Sequence, residues 1–539
     1  MQKKRKIIFE NNFHNEVKKG IDVLTDAVKT TMGPKGKLVM IQQGDEHPII
    51  TKDGVTVANN VNLVNDIQNL GVKVIKEASS RTAEEAGDGT TTSTVLAQSI
   101  FNEGLKMKAA GYQMDLMKEG ILFAKEKIID YIDQLKKPIT KDEELKNVAL
   151  ISANGEEDIS NLIVKAIKKA GAHGSIIVEE AKGYASSLIT VNGFKTERGF
   201  LSPYFVTDKN KMSCEFKKPL TLLADCHFNS IHKIMKPLEL SLEIGRPIVI
   251  IANGFENEVL QGLVLNKTKG SLQVNAIKSP GFGSSRHEMM IDLQAILGGT
   301  IIDDNFDMKS FCKEDFGSCD KIISTKNTTM FIDNNLDYNS SSVQERILSI
   351  KNRLSGYDID EREKEVLNYR LNQLAGGVCI LRVGASTESE LIERYDRVDD
   401  ALNASKAAMQ EGILPGGGIA LIKAQKMLKE LVIKDIDPNI KAGIEIMTRS
   451  LIAPFCQILK NGEKNPETAV AKIIKNNSFE YGYDIRKNIF GNMYDLGVID
   501  PHKVVRCALE NAVSSATMLL SVGCGMIELN NSGEEYEKK

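Results

Sequence analysis

What most constrains this chain is a change of apolar periodicity that happens twice. Residues 12 to 134 carry helical spacing, as at Ile21, Leu24 and Val28 and again at Leu96 and Ile100, broken by glycine-rich turns. From about 172 to 335 the pattern becomes short β-branched runs, Ser175 to Val178, Leu220 to Ala224, Pro247 to Ala252 and Val274 to Ile277, with helical stretches between them. From about 388 onward the helical pattern returns. A chain of 539 residues exceeds the roughly 250 to 300 residues that one core sustains, so about two to four domains are expected, α-rich at both ends and α/β in the middle.

Composition removes several classes of function. Apolar residues at 42% and charged residues at 26% are ordinary for a globular chain, and a net charge of −3 offers no basic field for a nucleic-acid backbone. No apolar run approaches the roughly 20 residues of a membrane span, and the basic Met1 to Arg5 leads into no signal-peptide core. The expectation is a cytosolic protein with neither nucleic acid nor membrane as partner. The eight cysteines form no CxxC pair and read as reduced, mostly buried thiols, and Cys226, His227 and His232 lack a further ligand at metal-binding spacing.

Two amphipathic regions stand out in the middle. From Ser340 to Leu374, Val343, Ile347, Ile350 and Leu354 form one helical stripe and Leu367, Leu371 and Leu374 another, with Ser355 and Gly356 between them, which predicts a helix pair. Between 228 and 245, Ile231, Ile234, Met235, Leu238 and Leu242 form a stripe, followed by Val259, Leu260, Leu263 and Val264. Such stripes are ordinarily core.

Three motifs near the N-terminus carry chemistry. Thr31, Met32, Gly33, Pro34, Lys35 and Gly36 close a helical run, and taken alone they are a helix-ending turn. Thr51, Lys52, Asp53 and Gly54 form a turn before an apolar, strand-like segment. Gly87, Asp88, Gly89, Thr90, Thr91 and Thr92 are more specific. A carboxylate between glycines, followed by three hydroxyls at a helix start, combines the N–H donors, positive helix end and hard oxygen ligand that a magnesium-bound triphosphate needs. No GxxxxGK[ST] sequence occurs, so any nucleotide is held without a P-loop.

These motifs, in order and spacing, resemble the chaperonins of the bacterial and organellar GroEL type. The likeness continues through Ile151 to Asn154, Arg198-Gly-Phe-Leu-Ser-Pro-Tyr-Phe205, Lys278-Ser-Pro-Gly-Phe-Gly283, Leu374 to Gly377, Val398 to Leu402, Gly416 to Gly418, Tyr481 to Tyr483, Gly491 to Met493 and Ile499 to Pro501. The resemblance implies an α-rich multidomain fold. A mostly helical equatorial ATPase domain would comprise 1–134 and 411–539, a small α/β intermediate domain 135–192 and 378–410, and an α/β apical domain 193–377.

The function so implied is an ATP-dependent chaperone, an ATPase of the isomerase class, that captures non-native polypeptides and assists their folding in a homo-oligomeric ring of seven subunits. ATP and Mg2+ are the implied cofactors, K+ is a further candidate, and a GroES-like co-chaperonin is a candidate partner. Thr31, Met32, Gly33, Pro34, Lys52, Asp88, Gly89, Thr90, Thr91 and Thr92 would line the phosphates, with Asp88 as the metal ligand. Asp53 and Asp400 would position the attacking water. Gly417 would pack on the nucleotide, Asp500 would bind the ribose, and Asp484, Ile485 and Arg486 would stand at the adenine end. Phe200, Tyr204, Phe205, Met235, Leu238, Leu260, Val264 and Leu265 would contact polypeptide. Gly193, Gly376 and Gly377 would be hinges.

The chain departs from the family in four places. Ser532 to Lys539 replaces the Gly-Gly-Met tail, Asp484, Ile485 and Arg486 replace Asn-Ala-Ala, Pro415 precedes the glycine triplet, and Pro237 is shifted by one position. With the enrichment in Lys, Asn and Ile, these departures point to a divergent member, as from a bacteriophage or an A/T-rich bacterium. A scaffold of the same fold without hydrolysis, and an unrelated small-molecule kinase or ATPase, are the competing readings.

Overall fold

The computed structural model describes residues 5–43, 46–170, 175–181, 183–191, 193–209, 211–281, 283–333, 340–354, 361–375, 378–431 and 435–528. The chain divides into two compact units, one formed by Met1–Val164, Glu180–Ser186 and Val383–Lys539, the other by Lys165–Glu179 and Ser187–Arg382. The chain therefore leaves the first unit and returns to it.

The first unit is built on long helices, Glu10–Lys29, Asp66–Ala86, Thr90–Ala109, Met114–Leu135, Pro438–Ser450 and His502–Leu520. In Glu10–Lys29 the residues Phe13, Val17, Ile21, Leu24 and Val28 are all buried, a stripe at spacings of three and four residues that turns one face into the core. Ile75, Leu96, Phe101, Met117, Ile121 and Leu509 meet it there. Burying side chains of this kind contributes about 1.5 to 3 kcal/mol each, which is why packing rather than helix propensity holds these helices.

Small antiparallel sheets tie distant parts of this unit together. Arg5–Phe9 pairs with Cys524–Glu528, and Ile413–Pro415 pairs with Ile499–Pro501. Two hairpins, Val39–Gln43 with Glu46–Thr51 and Tyr481–Asp484 with Ile489–Asn492, complete the set. The first hairpin interrupts a stretch whose pattern is mainly helical. The strand-like segment after Asp53 is instead the helix Gly54–Asn60, because the Asp53 carboxylate accepts the N–H groups of Val55 and Thr56 and so nucleates a helical turn.

The second unit is α/β. Val274–Lys278, Ile248–Phe255, Leu220–Phe228 and Ile301–Ile302 lie side by side in that order, all parallel, and Gly317–Ser318 adds an antiparallel edge. The two central strands are buried along nearly their whole length, as expected where both faces of a parallel sheet are covered. Three of the four runs expected as strands fall within a strand here, and the fourth, Pro247 to Ala252, does so from Ile248 onward, Pro247 lying just before the strand. A four-stranded antiparallel sheet orders Gly193–Thr196, Thr329–Ile332, Lys321–Ser324 and Cys214–Lys217, and in a three-stranded sheet Val378–Val383 lies between Ser175–Glu180 and Ser187–Val191.

The expected helix pair forms as Ser341–Leu354 and Glu361–Ala375; its break at Ser355 and Gly356 lies outside the described residues, as do Gly376, Gly377 and the C-terminal tail. Both helices are fastened to Ser284–Leu297 by a buried charge cluster. Asp292 accepts from Arg346 Nε at 2.9 Å and from Arg370 Nε at 2.7 Å, while Glu288 accepts from the same two guanidiniums at 2.6 and 3.2 Å. Removing the buried carboxylate leaves both arginines only the partly exposed Glu288, so Asp292→Ala should destabilise this unit by about 3 to 5 kcal/mol. Denaturant unfolding followed by circular dichroism measures it, and a change under about 1 kcal/mol would show the cluster to be dispensable.

Candidate functional sites

In the first unit, two glycine turns each deliver a helix to the same cavity. Asp66–Ala86 ends at Gly87 and the next helix begins after Gly89; their φ angles of 72° and 88° lie in the left-handed region that side chains with a Cβ avoid. This double turn sets Asp88 at the cavity wall and makes Thr90, Thr91 and Thr92 the first turn of Thr90–Ala109. Gly417 and Gly418, at 66° and 80°, lead likewise into Ile419–Glu430. Neither helix has a side-chain cap. The Ile419 N–H donates to Gly416 O at 3.4 Å, and the remaining first-turn N–H groups and positive dipole ends of both helices are available to an anion.

Charged side chains of both signs crowd the same space, a cavity of about 430 Å³. Lys52 Nζ donates to Gly33 O at 3.1 Å and to Asn154 Oδ1 at 3.0 Å. Burial, with Arg397 and Arg486 adding repulsion, lowers its pKa to about 8. Asp88 accepts from Ser152 Oγ at 3.1 Å and from the Gly89 N–H; burial nevertheless raises its pKa, helped by the charge of Asp53. Asp400, on the helix Glu388–Glu411, is pushed well above the carboxylate range by burial and then by Asp88, Asp53, Asp399 and Asp396. Asp500 accepts from Gly417 N at 2.9 Å, and burial with repulsion from Asp88 brings it to about 6. Asp396 reaches about 7 through burial and the charge of Asp53. Several carboxylates and two helix N-termini thus face one volume, a field that invites an anion and a cation together.

Every residue expected at a nucleotide site lines this cavity: Thr31, Met32, Gly33, Pro34, Lys52, Asp53, Asp88, Gly89, Thr90, Thr91, Thr92, Asp400, Gly417, Asp484, Ile485, Arg486 and Asp500. Their side chains are not all turned to one task. The Thr31 hydroxyl donates to Val28 O at 2.8 Å and closes its own helix. Both Asp53 oxygens accept backbone N–H groups, at 3.1 and 2.7 Å. Asp484 accepts from Arg486 N at 2.8 Å and Lys487 N at 3.3 Å and so holds the hairpin turn, and Ile485 is buried in a small apolar cluster.

Several lining residues have no assigned role in the sequence motifs. Asn154 and Ser152, which hold Lys52 and Asp88, lie in the segment Ile151 to Asn154 that carries the resemblance without a role. Pro454, Phe455 and Ile458 form an apolar wall, and in sequence they are indistinguishable from core. Asp396 is outside the cavity lining but acts on Asp400 by its charge; it is one helical turn before Asp400, and that spacing was its available signal. Among the described residues no cluster of three or more His, Cys, Asp or Glu side chains is placed to hold a metal ion by itself. Such a donor set fits Mg2+, which keeps waters and substrate phosphates as most of its ligands and needs only one or two carboxylates.

The family is decided by the sequence pattern of the TCP-1/cpn60 chaperonins, which matches residues 24–527. The chain belongs to that family. This chaperonin is similar in structure to the chaperonin gp146 from the bacteriophage EL 2 (Pseudomonas aeruginosa), solved in the presence of ATP-BeFx. In crystal form II the identity is 20% over 98% of this chain and 99% of that chain, with a TM-score of 0.73. In crystal form I the identity is 21% over the same shares, with a TM-score of 0.64. The likeness shows the α-rich multidomain chaperonin fold. Among the described residues, no helix is long and apolar enough to cross a membrane.

In the second unit the eight expected polypeptide contacts separate by exposure. Tyr204 is 72% exposed, Leu265 53% and Met235 42%, and Leu242 joins them at 55%. Leu260 and Val264 are partly buried against the core. Phe200, Phe205 and Leu238 are core residues, which corrects their expected placement: Phe200 bridges to Ile277 of the parallel sheet and Phe205 closes the short turn Pro203–Phe205 with its ring fully buried. Gly193 opens the strand Gly193–Thr196, opposite Ile332.

Asp400 supplies a pH test of the first site. Its folded pKa lies above its unfolded value near 4, so its ionisation costs little stability below that value and progressively more as pH rises toward the folded one. Asp400→Asn should therefore raise the thermal midpoint of the nucleotide-free protein, and by more at pH 8 than at pH 5. An equal shift at both, measured by scanning calorimetry, would remove Asp400 from the repelling cluster.

Proposed function

We propose that this chaperonin binds ATP with Mg2+ in the cavity of the first unit, hydrolyses it, and couples hydrolysis to capture and release of non-native polypeptides on the second unit. The observation that carries the reading is the convergence of two uncapped helix N-termini with Asp53, Asp88, Asp400 and Asp500 in one cavity. The triphosphate would lie on the first turns of Thr90–Ala109 and Ile419–Glu430, with Lys52 beside it. Magnesium would be held by Asp88 and would neutralise charge between the phosphates. Asp500, fixed by Gly417, would meet the ribose, and the wall of Pro454, Phe455 and Ile458 suits the apolar faces of a base. K+ is a further candidate cofactor.

Within this chain, Asp400 is the residue best suited to orient the attacking water. It enters on a helix that comes from a later part of the chain than Asp53 and Asp88, and it carries no capping duty. Asp53 shares the volume but gives its oxygens to a helix start. Asp400→Asn should lower ATP turnover by about 10² to 10⁴-fold while nucleotide still binds. An unchanged steady-state rate would take Asp400 out of the mechanism.

Tyr204, Met235, Leu242 and Leu265 would form the capture surface, an exposed apolar set in which methionine can repack around differing clients. The division into equatorial, intermediate and apical domains, the seven-membered ring, the GroES-like co-chaperonin and a cytosolic location belong to the same proposal and are supported by the motif resemblance. For the capture surface, Tyr204→Glu places a charge where apolar contact is required and should weaken retention of a denatured substrate several-fold without altering ATP turnover. Normal retention in a light-scattering aggregation assay would place capture elsewhere.

A further inference from the structure

Arg486 lines the cavity, and its side chain reaches a segment more than 300 residues earlier in the chain, at Gly155. Its backbone is fixed in the turn after Tyr481–Asp484 by the N–H bond to Asp484. The side chain leaves that turn, lines the cavity, and sets its guanidinium against Gly155, so closely that a Cβ on Gly155 would stand 2.8 Å from Arg486 Nη1. Gly155 has a φ of 95°, which reserves the position for glycine and leaves a bare backbone beneath the guanidinium. The preceding residue, Asn154, is the one that holds Lys52 Nζ.

Two cations therefore converge on a single loop. The charge of Arg486 is close enough to act on Lys52, and among the described residues no carboxylate pairs with the Arg486 guanidinium. Glu393, the acidic group that acts on Lys52, is already paired with Arg397. Placing Arg486 and Lys52 together without an anion is unfavourable, and an anion between them turns the repulsion into two attractions. A guanidinium presents a planar fork of donors that matches phosphate oxygens. The Asn-Ala-Ala usual at 484–486 in the family offers no such group.

We propose that Arg486 is a second phosphate-binding cation, reaching over the mouth of the cavity to engage, opposite Lys52, the terminal phosphate of a bound nucleoside triphosphate. The inference rests on the reading of this cavity as an ATP site and names the part of the ligand that this arginine reads. Discrimination of ATP from ADP follows, because the diphosphate leaves nothing between Lys52 and Arg486.

Isothermal titration of the full-length protein with ATP and with ADP, each with Mg2+, tests it in the wild type, Arg486→Ala and Arg486→Lys. Asp400→Asn serves as background in every case so that ATP persists. The expected result is a loss of about 10- to 100-fold in ATP affinity for Arg486→Ala, a loss under about 3-fold for ADP, and partial recovery of ATP affinity in Arg486→Lys. Retained ADP binding also reports that the variant is folded. Equal losses for the two nucleotides would place the side chain at the base or inner phosphates and overturn the inference. Unchanged ATP affinity would overturn it while leaving the ATP site standing. No nucleotide binding in the Arg486-containing background would overturn the ATP reading and this inference with it.

Discussion

The first unit is organised around an electrostatic conflict that its own chain does not resolve. Burial raises the pKa values of Asp88, Asp400, Asp500 and Asp396, and repulsion among neighbouring carboxylates adds to the cost of ionising them. In the cavity that Asp88, Asp400 and Asp500 line, the helices Thr90–Ala109 and Ile419–Glu430 begin without side-chain caps. Acidic groups ask for a cation and open helix ends ask for an anion. A site in this state is under-stabilised by its own residues, and a ligand bearing both charges relieves both costs at once.

The surrounding structure keeps those groups together against their repulsion. The helix Glu388–Glu411, which carries Asp396 and Asp400, is fastened at both ends within the unit. Near its start, Arg394 bonds Asp158 at 2.7 Å and Arg397 pairs with Glu156 and Glu393. At its end, Glu411 accepts from His502 Nδ1 at 2.9 Å and Arg506 Nη2 at 2.6 Å. Asn461 meanwhile donates to Lys29 O at 2.8 Å and Met32 O at 2.9 Å, pinning the loop that carries Gly33 and Pro34. Polar clamps of this kind contribute modestly to stability when exposed, but here they fix the direction from which each carboxylate enters.

Much of this was legible from the residues. The double glycine around Asp88 marks a turn before a helix, since only glycine adopts a left-handed backbone cheaply, and the stripes Ile21 to Val28 and Val343 to Leu354 mark helices through their spacing. Other features were not legible. Asp53 looked like a turn residue before a strand, whereas its carboxylate caps a short helix, a choice that depends on N–H groups becoming available in three dimensions. Phe200, Phe205 and Leu238 were expected at an exposed binding face beside Tyr204 and Met235. An apolar side chain carries no mark of whether its neighbour is core or solvent, and the sheet that buries Phe200 lies more than 70 residues further along the chain, at Ile277.

By itself the amino-acid sequence determined which local conformations are possible: where glycine permits a reversal, where helical or strand spacing holds, and which motifs resemble a chaperonin. Those properties depend on neighbours along the chain. Tertiary structure alone decided the charge states of the cavity and the reach of Arg486 to Gly155. Desolvation and Coulomb energy depend on distance in space, and the groups concerned, at positions 52, 88, 155, 400, 486 and 500, come together only after the chain has left the first unit and returned.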